Sequence, residues 1–108
     1  MEIKHDRIND LLRDEHIDEV NDIIAAGNAP SFSDTNLGGL NLSELNVQGL
    51  DFSNSRFCHA DLRGLDLSTC NLRGASLKEA RISGALFPNE ISAQEIIMSL
   101  KYGTRIRY

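Results

Sequence analysis

Residues 60–74 read Ala60-Asp61-Leu62-Arg63-Gly64-Leu65-Asp66-Leu67-Ser68-Thr69-Cys70-Asn71-Leu72-Arg73-Gly74, three groups of five with a leucine at the centre of each. Extended both ways, the same beat puts an apolar residue on every fifth position: Leu37, Leu42, Val47, Phe52, Phe57, Leu62, Leu67, Leu72, Leu77, Ile82 and Phe87, eleven without a miss. A helix repeats a face every 3.6 residues and a strand every 2, so neither holds a five-residue register on one side. Two places before each central residue stands a second, usually smaller one, from Thr35 through Ala60, Cys70 and Ala75 to Ala85. Two places after it come Gly39, Gly49, Gly64, Gly74 and Gly84, with Asn54 and Asn89 in the same slot. These residue types tolerate positive φ, so the slot reads as a corner turn. The pattern predicts a coil that turns every five residues, with two apolar positions inward and three facing solvent.

The groups Ala60-Asp61-Leu62-Arg63-Gly64, Cys70-Asn71-Leu72-Arg73-Gly74 and Leu40-Asn41-Leu42-Ser43-Glu44 match an A-(D/N)-L-x-x pattern. On these blocks the chain resembles the pentapeptide-repeat family over about half its length. The resemblance implies a mainly β fold, a right-handed quadrilateral β-helix with four pentapeptides per turn, about 2.75 turns here. Leu40, Leu45, Leu50 and Leu65 replace the small inward residue, and Arg56, Ser76, Arg81 and Leu86 replace Asp/Asn. The leucines suggest a wider first part of the coil. If four groups make a turn, residues twenty apart stack, placing Asp61 beside Arg81 and His59 beside Glu79.

So short a coil requires caps at its open ends. The expected organisation is an N-terminal helical cap (1–34), the repeat body (35–89) and a C-terminal capping helix and tail (90–108), all in one folded domain. In the leader, Ile8, Leu11 and Leu12 form one apolar cluster and Ile17, Val20, Ile23 and Ile24 another. They share no single stripe, so two short helices are expected, broken near Asp14–His16 and stopped by Gly27-Asn28 and Pro30. In the last segment Ser92-Ala93-Gln94-Glu95 is a capping box with Ile91 and Ile96 at the staple positions. It opens a helix from about Ala93 to Lys101, with Ile96, Ile97 and Leu100 on one side and Gly103 as its stop. Tyr102, Ile106 and Tyr108 are expected to fold back over the coil end.

The chain has 108 residues and a net charge of −5. That acidity belongs to the leader: residues 1–22 hold eight acids against Lys4, Arg7 and Arg13, whereas residues 35–89 balance five acids with five bases. No stretch approaches the roughly 20 apolar residues of a membrane span, and the first residues lack the apolar core of a signal peptide. A cytoplasmic protein without membrane contact is expected, bacterial by family resemblance.

Candidate chemistry is sparse. Cys58 and His59 are one residue apart on a flat outward face, without a cleft or oxyanion-stabilising group, so no nucleophilic site is built. Cys70 is inward and Cys58 outward, which predicts two free thiols rather than a disulfide. His5, His16 and His59 have no metal-ligand spacing, and no glycine loop cradles a phosphate. No cofactor is expected. The candidate partner-binding residues are Arg56, Cys58, His59 and Lys78 on one outward face, and Arg105, Arg107 and Tyr108 in the tail. The expected function is a non-enzymatic protein-interaction or scaffold module, with possible homodimer pairing through the C-terminal helix or coil ends and no nucleic-acid partner. The alternative implied by the resemblance is a topoisomerase-protecting DNA mimic of the quinolone-resistance type. That role calls for a long acidic rod, and this repeat body is short and neutral.

Overall fold

The computed structural model describes residues 5–28 and 31–108. Pro30, expected to end the leader, and the charges at Glu2 and Lys4 lie outside the described residues. Three helices are present: α1 (His5–Arg13), α2 (Ile17–Ala25) and α3 (Ala93–Tyr102). Between α2 and α3 the chain returns over itself every twenty residues, marked by parallel single-residue bridges Asn36 to Arg56, Asn41 to Asp61, Asp51 to Asn71, Arg56 to Ser76, Asp61 to Arg81 and Asp66 to Leu86.

These bridges correct the expected fold class. A mainly β, right-handed quadrilateral β-helix requires strands assembled into sheets. Among the described residues there is no strand longer than one bridging residue and no sheet. The reason is the five-residue beat itself. Each straight segment contributes one bridging residue before the next corner, so pairing never propagates along the chain. The repeat body is a stack of corners joined by isolated bridges, and among the described residues the extended regular elements are helical.

Each corner is a β-turn closed from the central residue to the first inward residue of the next group, as in Leu62 O accepting from Leu65 N at 3.2 Å and Phe57 O from Ala60 N at 2.9 Å. The third turn residue takes positive φ at Gly39, Gly49, Gly64, Gly74 and Gly84, as a type II turn demands. Asp34, Asn54, His59 and Glu79 adopt it too, with φ between 54° and 60°, whereas Asn89 does not. Successive turns are tied by backbone bonds running both ways: Leu62 N donates to Arg81 O and Asp61 N to Leu40 O, each at 2.8 Å.

A third device is local. The Asp or Asn before the central residue accepts the N–H two positions on: Asn36 from Gly38, Asn41 from Ser43, Asp51 from Ser53, Asp61 from Arg63, Asp66 from Ser68 and Asn71 from Arg73. These Asx turns pre-form the corner, which is why that slot favours the two short side chains able to reach back to the backbone.

Inside, the central residues stack in columns and are almost fully excluded from solvent from Leu37 to Leu77. Leu40, Leu45, Leu50 and Leu65 are buried as well. The register begins one group before Leu37: Phe32 is buried, its N–H donates to Asp51 O at 2.9 Å, and its ring stacks on Phe52 at 5.4 Å. Phe52 in turn meets Phe57 edge-on at 5.4 Å. Toward the other end Ala80, Ile82 and Phe87 are only half-buried, and α3 packs against them.

The lower end is closed by α1 and α2, which bury Ile8, Leu12 and Val20. Their junction is a Schellman ending in which Glu15 N donates to Leu12 O and His16 N to Leu11 O, with Glu15 at φ 62° where glycine is usual. The expected break near Asp14–His16 is found there. Asn21 on α2 grips the coil with both ends of its carboxamide: Nδ2 donates to Glu44 O at 3.0 Å and Oδ1 accepts from Asn46 N at 2.7 Å. Asn46 belongs to none of the bridges, so α2 supplies the partner that the neighbouring turn does not.

The upper end presents amide N–H groups with no further turn above them. Four find substitute acceptors in the C-terminal segment: Leu72 N in the Tyr108 hydroxyl (2.8 Å), Gly74 N in Ile106 O (2.8 Å), Leu77 N in Ser99 Oγ (2.8 Å) and Glu79 N in Leu100 O (3.0 Å). Ser99 is therefore the fully buried residue of α3. Ile97 is 54% exposed and Tyr102 67%, which corrects their expected inward placement. Ser92 caps α3 by accepting from Glu95 N, and Gly103 ends it at φ 71°. Glu95 turns to the tail, where it accepts from Arg107 N at 3.0 Å.

Asn21→Ala is expected to lower the unfolding free energy by about 1–3 kcal/mol, because Asn46 N–H and Glu44 C=O both lose their partner. Urea denaturation followed by circular dichroism measures it. A midpoint unchanged from wild type would show that the carboxamide clamp does not hold the cap.

Candidate functional site

Concavities form where a cap meets the coil: one of about 190 Å³ lies at the α1–α2 junction, lined by Glu15, Ile17, Asn41, Ser43 and Glu44, and others form where the tail comes back over the coil. That happens beside two columns. One holds Asp34, Asn54 and Gly74, all with positive φ. The other holds Asn36, Arg56 and Ser76, joined by bridges. The tail crosses above them, fixed by Ser76 Oγ donating to Gly103 O at 3.0 Å and by Ile106 N donating to Ala75 O at 2.9 Å. The result is a groove of about 300 Å³ lined by Asp34, Asn54, Arg56, Gly74, Ser76, Gly103 and Arg105.

Gly74 forms part of this groove because nothing larger fits. A Cβ there would lie 2.1 Å from Asn54 Oδ1, and φ is 77°. Above the tail Gly103 is constrained in the same way, its missing Cβ being 3.3 Å from the aliphatic stem of Lys78.

The seven sequence-predicted residues separate into distinct places. Arg56 and Arg105 come together in the groove. Lys78 borders it through Gly103. Cys58, half-exposed, lies in the column below Lys78, and its carbonyl accepts from Gly39 N. A Cβ on Gly38 would approach that carbonyl to 3.2 Å, which accounts for the one glycine not explained by a corner or helix stop. His59 Nε2 sits 2.9 Å from Glu79 Oε2, with both side chains more than half exposed. Such a surface pair contributes about 0–1 kcal/mol. Positive φ at two non-glycine residues costs about 1–2 kcal/mol each, so the pair offsets only part of the strain.

Arg107 and Tyr108 are occupied. Arg107 Nη2 lies 3.6 Å from Glu95 Oε2. Tyr108 caps Leu72 N, and the Arg73 guanidinium covers its ring at 4.1 Å from the centroid. Asp61 and Arg81 are neighbours on successive turns as expected, but the Asp61 carboxylate takes a shorter reach. Asp61 is bound by Arg63 through Nε (2.9 Å) and Nη2 (2.7 Å). Asp34, Asn54 and Ser76 complete the groove and were not among the predicted residues. The twenty-residue stacking would have aligned them with Gly74 and Arg56, but the landing point of Arg105 depends on the tail's path.

Charge is distributed by these contacts. The Arg63 side chain holds the Asp61 carboxyl down at about 2, aided by the Arg63 backbone N–H. Ser68, through its hydroxyl and its N–H, lowers Asp66. Burial pushes the Cys70 thiol up to about 11, and its Sγ lies 2.9 Å from Val47 O. Cys70 is thus a packed, protonated thiol without nucleophilic character at neutral pH. Among the described residues no three His, Cys, Asp or Glu side chains stand together as a metal site requires.

The model of pentapeptide repeats matches residues 51–87, in 8 copies. Over this third of the chain the sequence is similar to pentapeptide repeats. Pentapeptide repeats are in general non-enzymatic protein-interaction modules. Comparison with curated proteins and with solved structures finds no match. Among the described residues no helix is long and apolar enough to cross a membrane.

Because Asp61 and Asp66 have folded-state pKa values below their unfolded ones, their contribution is complete above the unfolded value of about 4 and fades as pH falls through the folded values. Stability is expected to drop between pH about 4 and about 2. Asp61→Asn keeps an Asx-turn oxygen but has no charge for Arg63, so its acid limb should be shallower. Urea midpoints measured across that range check this; parallel acid limbs would remove Asp61 from the account.

Proposed function

We propose that this chain is a non-enzymatic interaction module that engages a protein partner with the coil face bearing Arg56 and the tail bearing Arg105. The observation that carries the reading is the polar groove of about 300 Å³ lined by both Arg56 and Arg105. Backbone placement supports it as well: coil stacking and the docked tail fix the backbone that carries the lining residues, so binding would order side chains and not the chain path. A bacterial, cytoplasmic setting accompanies this reading through the family resemblance. The DNA-mimic alternative receives little support. The exposed acids Asp10, Asp14, Glu15, Asp18, Glu19 and Asp22 cluster on or beside α1 and α2, whereas the repeat body balances its five acids with five bases.

Pairing with a second copy is a further reading, favoured by the exposure of Ile97 and Tyr102 on α3. Sedimentation equilibrium that shows only monomer at high concentration would remove it.

The main reading is tested by crosslinking capture with mass spectrometry, followed by reconstitution with the purified partner. Affinity is expected to fall by about tenfold or more in Arg56→Glu/Arg105→Glu and to stay unchanged in Lys101→Glu. Failure to find a stoichiometric protein partner, or indifference to the double reversal, would overturn it.

A further inference from the structure

Most of the arginines described in full are engaged within the chain. Arg63 is bound to Asp61, Arg73 to Tyr108 and Arg107 to Glu95, while Arg13 reaches the carbonyl of Asn36. Among the described residues Arg56, Arg81 and Arg105 form no ion pair and no side-chain hydrogen bond, and two of these three line the same groove. Asp34 and Asn54, which also line it, are likewise tied to no other side chain among the described residues. Solvated arginines scattered over a surface would give no reason for two to line one groove between coil and tail. The convergence depends on the tail contacts Ser76 to Gly103 and Ile106 to Ala75.

Resting on the reading of this chain as a protein-interaction module, we propose that the Arg56–Arg105 groove is a carboxylate subsite that takes the Asp or Glu side chain of an extended segment of the partner. Guanidinium groups are planar donor forks matched to a carboxylate. Together Arg56 and Arg105 bring two positive charges, and Asp34 reduces the groove to a net single positive charge. That balance suits a monoanionic carboxylate better than a phosphoryl dianion, which would meet the Asp34 carboxylate in the same groove. Asp34 and Asn54 then have a role of their own, accepting backbone N–H groups of the segment that carries the acid. The volume, about 300 Å³, admits one side chain and its flanking backbone rather than a helix. Gly74 makes room for the Asn54 side chain on the groove wall.

The test uses the whole protein, isotope-labelled, and three capped pentapeptides: Gly-Ala-Glu-Ala-Gly, its glutamine counterpart, and its phosphoserine counterpart. With the glutamate peptide, saturable amide shifts are expected at Gly74, Ser76 and Gly103. The dissociation constant should rise by about fivefold or more in Arg56→Gln and in Arg105→Gln, and again in roughly 0.5 M salt, where exposed charge pairs are screened. Both substitutions leave the coil contacts intact, so loss of binding is separable from loss of fold in the same spectra. Equal binding of the glutamine peptide, indifference to both arginine variants, or shifts confined to α1 and α2 would each overturn the proposal. Phosphoserine binding about tenfold tighter than glutamate would also overturn it, replacing the carboxylate with a phosphoryl group. If the peptides fail while the captured partner still depends on Arg56 and Arg105, the carboxylate subsite falls and the interaction reading stands. If capture fails as well, both fall.

Discussion

Everything in this molecule depends on one constraint: each turn of the coil must hand its backbone hydrogen bonds to the turns above and below. A group of five residues cannot satisfy itself. Its β-turn closes one bond, and the rest go to groups about twenty residues away, as Leu62 N does to Arg81 O and Asp61 N to Leu40 O. Buried backbone groups left without partners are costly, so a stack of this kind is only as sound as its two ends.

Both ends are solved by side chains and chain segments that imitate a missing turn. Below, the carboxamide of Asn21 serves a carbonyl and an N–H of the first turn. Above, a phenol, a serine hydroxyl and two carbonyls from α3 and the tail take the place of the next turn's acceptors. The caps are thus specific hydrogen-bonding partners as well as apolar lids, and the same docking that closes the upper end carries Arg105 to the side of Arg56. Structure and candidate site share one cause: the tail's need to satisfy the top of the coil creates the groove.

The sequence was most informative where the physics is local. The five-residue beat located the inward columns and the corner glycines, the leader's two apolar clusters the break at Asp14–His16, and the capping box the Ser92 cap, because each follows from residues a few positions apart. It was misleading about fold class. A coil of parallel pairings invites the expectation of a mainly β protein, yet corners recur too often for any pairing to extend beyond one residue. It also missed the role of the Asp/Asn slot, where Asp61 turns to Arg63 two residues away instead of to Arg81 on the next turn. A charged group with a donor already within reach has no reason to cross to the next turn.

Sequence alone determined the repeat, its inward and outward faces and the need for plugs, since periodicity fixes which side chains share a face before any long-range contact forms. Tertiary structure alone decided that Ser99 rather than Ile97 is buried, that Arg107 and Tyr108 are consumed by the cap, and that Arg56 and Arg105 meet. Those outcomes depend on where the last residues lie against the final turn. That placement is set by which backbone N–H groups the coil leaves without acceptors, a property of the stacked whole that no single group of five contains.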